Sequence, residues 1–278
     1  MIKDILVFLD GSDQDDVRLG YAEQIAARNN AHITGLYINI LPEVTTVSSA
    51  YLPDGEAIAA MQKEAVDQGA ELAAKLNDKL DRLAGPHELR HRDLMYSQAR
   101  DAMADEAQTA DIFIGTRPYN HANSEAIEGL MEAVLFNSGR GVLLTPPDGK
   151  PRDFDVVVLG WKPGRETARA VSEGMDFFTG ADKTVVALVD ENGSPEREHR
   201  EPGADIARYL ARHGAKAELR HIGGWKDAGE ALLNAVDNEG ATLLVMGGYG
   251  HSRFRELVLG GATRQILSHA HVPVLIAH

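Results

Sequence analysis

The chain has 278 residues, 44% hydrophobic and 25% charged, enough for two domains of ordinary size, each with its own core. A formal charge of −14 excludes duplex DNA and anionic membrane as partners, because binding to either needs a basic surface. There is no cysteine for disulfides or thiol chemistry, no apolar run nears the ~20 residues that span a bilayer, and the start of the chain lacks a signal-peptide layout, so a cytoplasmic protein is expected.

The first strand-type run, Ile5 to Leu9, ends in Asp10, Gly11 and Ser12. A helix is expected next, with Val17, Tyr21 and Ile25 at helical spacing. Asp13, Asp15 and Asp16 fall in its first turn, where they complement the helix dipole without invoking a cation. A second strand spans Ile33 to Ile38. Residues 41–55 carry Pro, Thr and Ser without periodicity and read as a plain surface crossover rather than a lid. A long amphipathic helix fits Ala57 to Leu83, with Met61, Ala65, Leu72, Leu76 and Leu80 on one stripe. The third strand contains Glu88 to His91. A helix with Ala99, Ala102 and Met103 leads to a strand ending at Gly115, and Val142 to Thr145 is the closing strand.

The proline-rich stretch Pro146 to Pro151 marks a boundary, with units at 1–147 and 152–278. The same order then recurs. Strands are expected at Val156 to Leu159 and Thr184 to Val189. A helix carries Ala168, Val171, Met175 and Phe178, and another runs from Ala204 to His213. The tetrapeptide Glu-Leu-Arg-His at 88–91 returns at 218–221, a helix carries Ala231, Leu232, Ala235 and Val236, and strands end at Gly247 and Ala277. Each half is thus β-α-β-α-β-α-β-α-β, which implies a parallel sheet covered on both faces with right-handed crossovers.

His87-Glu-Leu-Arg-His91 matches a zinc-protease string, but that chemistry needs a helix, where positions i and i+4 lie ~6 Å apart. On a strand four residues span roughly 13 Å, too far for two ligands of one zinc. His269 and His271 read as a polar helix end. No metal site is expected, and no nucleophile arrangement stands out.

The most informative stretch is Gly247, Gly250 and Gly260, a Gly-x2-Gly-x9-Gly spacing that joins an apolar strand to a helix beginning near Thr263. A glycine loop running into a helix N-terminus converges backbone N–H groups on an anion, most plausibly a phosphate. Neither a Walker loop nor a dinucleotide fingerprint is present.

This spacing resembles the nucleotide loop of the universal stress protein family, and both halves resemble domains of that family in tandem. The resemblance implies an α/β fold of two doubly wound parallel five-stranded sheets, adenine nucleotide alpha-hydrolase-like, each with strand order 3-2-1-4-5. It places a ligand crevice between the first and fourth strands, which is also the topological switch point, and has the closing strands of the two domains pair at their interface. It implies ATP or AMP as ligand, with or without Mg2+, held by Gly247, Gly250, Gly260, Gly261, Ala262 and Thr263. The family's Asp at the end of the first strand is matched by Asp10, while Lys162 stands there in the second half and could pair with phosphate. Val189 matches an apolar residue lining the adenine pocket, and Arg253 is a further candidate in the loop. The family's nucleotide binders usually have Ser or Thr where this chain has Gly261, a lost side-chain bond worth roughly 0.5–1.5 kcal/mol.

In the first half the loop position reads Gly115-Thr-Arg-Pro-Tyr119, where proline removes a donor. That half is expected to bind no ATP, with Arg117 and Arg140 read as surface arginines. The function expected is stress response or regulation through a bound adenine nucleotide in the C-terminal half. A non-nucleotide interaction module and, thirdly, a weak ATPase remain open, as do a homodimer or protein partners.

Overall fold

The computed structural model describes residues 1–43, 55–118, 124–189, 203–249 and 261–278. The first half runs β1 (Asp4–Leu9), α1 (Gln14–Asn29), β2 (His32–Leu41), α2 (Gly55–Leu80), β3 (His87–Met95), α3 (Tyr96–Gln108), β4 (Ile112–Thr116), α4 (Ser124–Asn137) and β5 (Gly141–Thr145). The second runs β6 (Val156–Gly160), α5 (Arg165–Glu173), α6 (Met175–Gly180), β7 (Lys183–Val189), α7 (Ala204–Arg212), β8 (Ala217–Ile222), α8 (Ala228–Glu239), β9 (Leu243–Gly247), α9 (Gly261–His269) and β10 (Val274–Ala277).

Each half has the expected parallel order 3-2-1-4-5, and the closing strands pair as the resemblance implied. The two halves thus form one ten-stranded sheet, β3-β2-β1-β4-β5-β10-β9-β6-β7-β8. The join is the antiparallel pair β5–β10, with Val274 opposite Leu144, Leu275 opposite Leu143 and Ile276 opposite Val142. These residues are all buried, so neither closing strand is left as an exposed edge. Two apolar layers flank the sheet and run through both halves. One gathers Val17, Ile25, Leu76 and Leu80 with Val171, Phe178 and Leu210. The other gathers Met103, Leu130 and Val134 with Leu232, Val236 and Ile266.

The segment before β6 is packed rather than loose. Phe154 is 1% exposed. Its ring lies 5.7 Å from Tyr21 of α1 and 4.9 Å from Phe177 of α6, so it bridges the halves. Gly20 leaves room for Pro151, whose Cγ would lie 2.4 Å from an added Cβ.

Two helices depart from the sequence reading. The expected stripe on α2 is only half used: Leu76 and Leu80 are buried, whereas Met61 is 50% exposed. The helix meets β2 from Ala65 onward, and at Gly69 Asn39 presses so close that an added Cβ would lie 2.2 Å from its Nδ2. Asn39 Nδ2 also donates to Ala65 O at 2.9 Å and to Asp93 Oδ1 at 2.6 Å. In the second half the helix expected through Val171 and Phe178 breaks at Gly174, which ends α5 and caps α6. Its Cβ would lie 3.0 Å from both Ala170 O and the Phe178 ring, so glycine permits this tight join.

The repeated Glu-Leu-Arg-His lies on the outer strands β3 and β8, as its strand assignment requires. Arg90 Nη1 reaches Glu106 Oε2 at 2.8 Å and Arg220 Nε reaches Glu239 Oε1 at 3.0 Å, tying each outer strand to the end of the next helix. Glu239 also accepts from Lys183 Nζ at 2.8 Å. That hydrogen bond outweighs desolvation and, with Arg220, holds the Glu239 carboxyl below its ordinary value.

Two outcomes are expected. Phe154→Ala should lower unfolding free energy by about 3–5 kcal/mol in urea, the usual cost of deleting a buried phenyl ring. Glu239→Gln should cost ~0.5–1 kcal/mol at neutral pH. A depressed carboxylate stabilises above its unfolded value and loses this as pH falls through the folded one, so parent and variant should converge in urea titrations as pH is lowered below the ordinary carboxylate range.

Candidate functional site

In the second half the strand order reverses between β6 and β9, which leaves a crevice at their carboxyl ends. Helices α5 and α9 each return from a carboxyl edge to the start of the next parallel strand, so both N-termini open on this side. Lys162 and Gly247 lie just past or at the ends of these neighbouring strands, and Val189 closes β7 beside them. Gly261, Ala262 and Thr263 form the first turn of α9, which carries no acidic residue. The structure therefore brings Lys162, Val189, Gly247, Gly261, Ala262 and Thr263 to one edge of the sheet. Gly250, Arg253 and Gly260 lie outside the described residues.

Each glycine has its own physical reason. At Gly247 an added Cβ would lie 2.5 Å from Thr167 N and 2.7 Å from Glu166 C, so glycine lets the first turn of α5 press onto the end of β9. Gly248 is crowded in the same way by Ile276 Cδ1 at 2.4 Å, and its N–H donates to Ala277 O at 2.9 Å. Its carbonyl meets His278 Nδ1 at 3.1 Å. Gly261 differs: it is exposed, and among the described residues an added Cβ would meet no atom within 4 Å. Thr263 is 6% exposed, its side chain turned into the fold. Lys162 is exposed, and Arg165 stands at the start of α5 with its Nε 3.8 Å from Glu166 Oε1 and its Nη2 3.5 Å from His278 Nε2. The sequence reading passed over Arg165 and His278. Arg165 was findable from its place just after Pro163 and Gly164, at a helix start; His278 was not, because only the β9–β10 pairing brings it to Gly248.

The equivalent crevice of the first half is filled by its own side chains. Asp10 Oδ1 accepts from Ser12 Oγ at 2.6 Å and from Arg18 Nη2 at 2.6 Å. Asp15 Oδ1 accepts from the same Arg18 nitrogen at 2.5 Å, and the Asp15 carboxylate receives the N–H groups of Asp10 and Gly11. Arg18 is fully buried, 5.1 Å above the Phe8 ring. Burial pushes the Asp10 carboxyl up, but Arg18 and the Ser12 hydrogen bonds outweigh it and leave Asp10 below its ordinary value. For Asp15 burial wins, and the carboxyl is raised. Thr116 Oγ1 donates to Gln14 Oε1 at 2.6 Å, and Leu72 of α2 sits where a Cβ of Gly11 would be, 2.7 Å away.

One sequence expectation is extended here and another corrected. Asp15 does stand in the first turn of α1, and its carboxylate is also buried against Arg18 Nη2, 2.5 Å away. Arg117 is no surface arginine: it is 6% exposed and donates through Nη1 to Ala270 O in the second half. Burial lowers its pKa to about 10. Arg140 is half-buried and donates to Gln108 O at 2.8 Å. The matched zinc string lies on β3, and among the described residues no three His, Cys, Asp or Glu side chains group to hold a metal. None of the described helices is long and apolar enough to cross a membrane.

Residues 179–278 match the model of the universal stress protein family. Over 99% of both chains, the protein is 25% identical to universal stress protein Slr1230 of Synechocystis sp.. Its fold matches the crystal structure of a universal stress protein from Archaeoglobus fulgidus with a TM-score of 0.71 at 16% identity, covering 99% of this chain and 97% of the other. A functionally unknown protein from Pseudomonas aeruginosa PAO1 matches with a TM-score of 0.57 at 13% identity, covering 99% and 92%.

Gly247→Ala should destabilise the protein by about 1–3 kcal/mol without any ligand present, because the added methyl meets helix backbone rather than a side chain that can turn away. Urea unfolding of the parent and variant measures it.

Proposed function

We propose that this chain, a tandem member of the universal stress protein family, binds one adenine nucleotide, in its C-terminal half, and uses it as a conformational ligand in regulation or stress response. Units at 1–147 and 152–278 then divide the labour, the second holding ligand and the first completing the sheet.

The observation that carries this reading is the contrast between the two switch points. In the second half, two helix N-termini open beside Lys162 and Arg165, and the first turn of α9 is free of acidic residues. The first turn of α5 carries Glu166 beside Arg165, so the attraction for an anion there comes from the helix N-termini and Lys162. In the first half, Arg18 and its two carboxylates occupy the corresponding place. The phosphates would take the N–H groups of Gly261, Ala262 and Thr263, with Lys162 offering charge and Val189 an apolar wall for the base. Gly250, Gly260 and Arg253 complete the proposed loop. Any Mg2+ would travel with the phosphates, since no carboxylate cluster of the described residues is placed to hold it.

Turnover of ATP needs a positioned water and a held metal in addition to phosphate contacts. Asp10 is committed to Arg18 in the other half, so binding without brisk hydrolysis follows from the same arrangement.

Gly261→Leu tests the site with little risk to the fold, because the residue is exposed at a helix start and an added Cβ meets none of the described atoms within 4 Å. Calorimetry with ATP should give a stoichiometry near one per chain for the parent and an affinity at least tenfold weaker for the variant, with urea stability unchanged within ~0.5 kcal/mol. Unchanged affinity, or two nucleotides per chain, would overturn the assignment.

A further inference from the structure

Tyr249 and Arg117 occupy the same place in their respective halves, each two residues after the glycine of the fourth strand, Gly247 and Gly115. Both cross the β5–β10 seam, in opposite directions. Tyr249 packs edge-on against Phe136 in the last turn of α4, with ring centroids 5.0 Å apart, and Phe136 also meets the His278 ring at 4.8 Å. Arg117 donates to the carbonyl of Ala270, the residue just beyond the last turn of α9. The two exchanges are equivalent in position and unlike in chemistry.

Each contact acts on an element of the proposed ligand site. Tyr249 belongs to the glycine loop and holds a positive φ of 59°, which a non-glycine side chain adopts only where its surroundings fix it. The Phe136 ring on one side and the hydrogen bond from His278 to Gly248 O on the other supply that fixing. Arg117 places a buried cation at the negative end of the α9 dipole, the helix whose N-terminus faces the proposed phosphate position. Among the described residues its Nε finds no acceptor, and the Ala270 carbonyl together with the Asp148 charge offsets the cost of burying the cation. Pro118, Met131 and Leu135 of the first half pack with Tyr249, Leu267 and Ile276 along the same seam.

We propose that Arg117 and Phe136 of the N-terminal half are positioning residues for the C-terminal site: they hold its glycine loop and α9 in the ligand-ready arrangement and so set its affinity. The inference rests on the nucleotide reading above for the ligand, and on the two crossing contacts for the coupling.

Two variants of the full chain test it, Phe136→Ala, whose side chain is already 42% exposed, and Arg117→Met, which replaces a buried cation with an apolar chain of similar length. Hydrogen exchange without ligand and calorimetry with ATP are the readouts. Phe136→Ala should speed exchange at Gly248 and Tyr249, Arg117→Met should speed it in the last turn of α9, and each should weaken ATP binding about five- to tenfold, at the lower end of usual site-to-site coupling. ATP affinity unchanged within twofold in both variants overturns the proposal, whatever happens to the melting temperature. If the parent takes up no ATP, the nucleotide reading falls and exchange alone decides: faster exchange at these positions supports the positioning role, and unchanged exchange overturns it.

Discussion

The antiparallel pairing of β5 with β10 is the constraint on which the rest of the molecule depends. Each half ends in a short, wholly apolar strand that, left alone, would present unpaired backbone groups and an aggregation-prone edge. Pairing them consumes both edges at once and leaves β3 and β8 as the outer strands of the described sheet. Those two carry the Glu-Leu-Arg-His repeats, whose charges bind the neighbouring helix and keep the rim polar. The apolar layers then run unbroken across the join. A residue such as Phe154 belongs to the core of both halves rather than of either.

Most of this architecture was legible in the sequence because it is carried by local periodicity. Alternating strand and helix patterns and the matched closing strands report on short-range chemistry. What periodicity could not show was which face of α2 finds a partner. Met61 has the right spacing and is left half exposed, one turn before Ala65 and Gly69, where Asn39 holds the helix to β2. The break at Gly174 is similar: the apolar positions continue, but the close approach of Phe178 to Ala170 decides where the axis turns.

Sequence marks the candidate site by its glycines more than by its charges. Of the Gly-x2-Gly-x9-Gly spacing only Gly247 is described; it ends β9, and Gly261 opens α9 at the same edge of the sheet. Yet the reasons differ from residue to residue: Gly247 makes room for α5, whereas Gly261 is exposed and crowded by none of the described atoms. Charged residues misled because sequence gives no burial. Arg18 attracted no comment and proves to neutralise two carboxylates in the first-half crevice, while Arg117 reads as a solvated arginine and is a buried bridge. A signal was available for Arg18, three residues after Asp15 and eight after Asp10. None was available for Arg117, whose acceptor lies 153 positions away.

Joining the two halves in one chain has a consequence for how they can change. In a dimer of identical subunits every substitution appears twice, so a residue suited to one side of the dyad is imposed on the other. Here the two copies are inherited separately. Arg117 can remain bound to Ala270, and Asp10 to Arg18, while Lys162 stands exposed just past the end of the matching strand in the other half. Covalent linkage also makes the pairing of the closing strands independent of protein concentration, because the partner is always present at the end of a packed connection. The molecule is thereby free to specialise one half without risking its own dissociation at the low abundance of a resting cell.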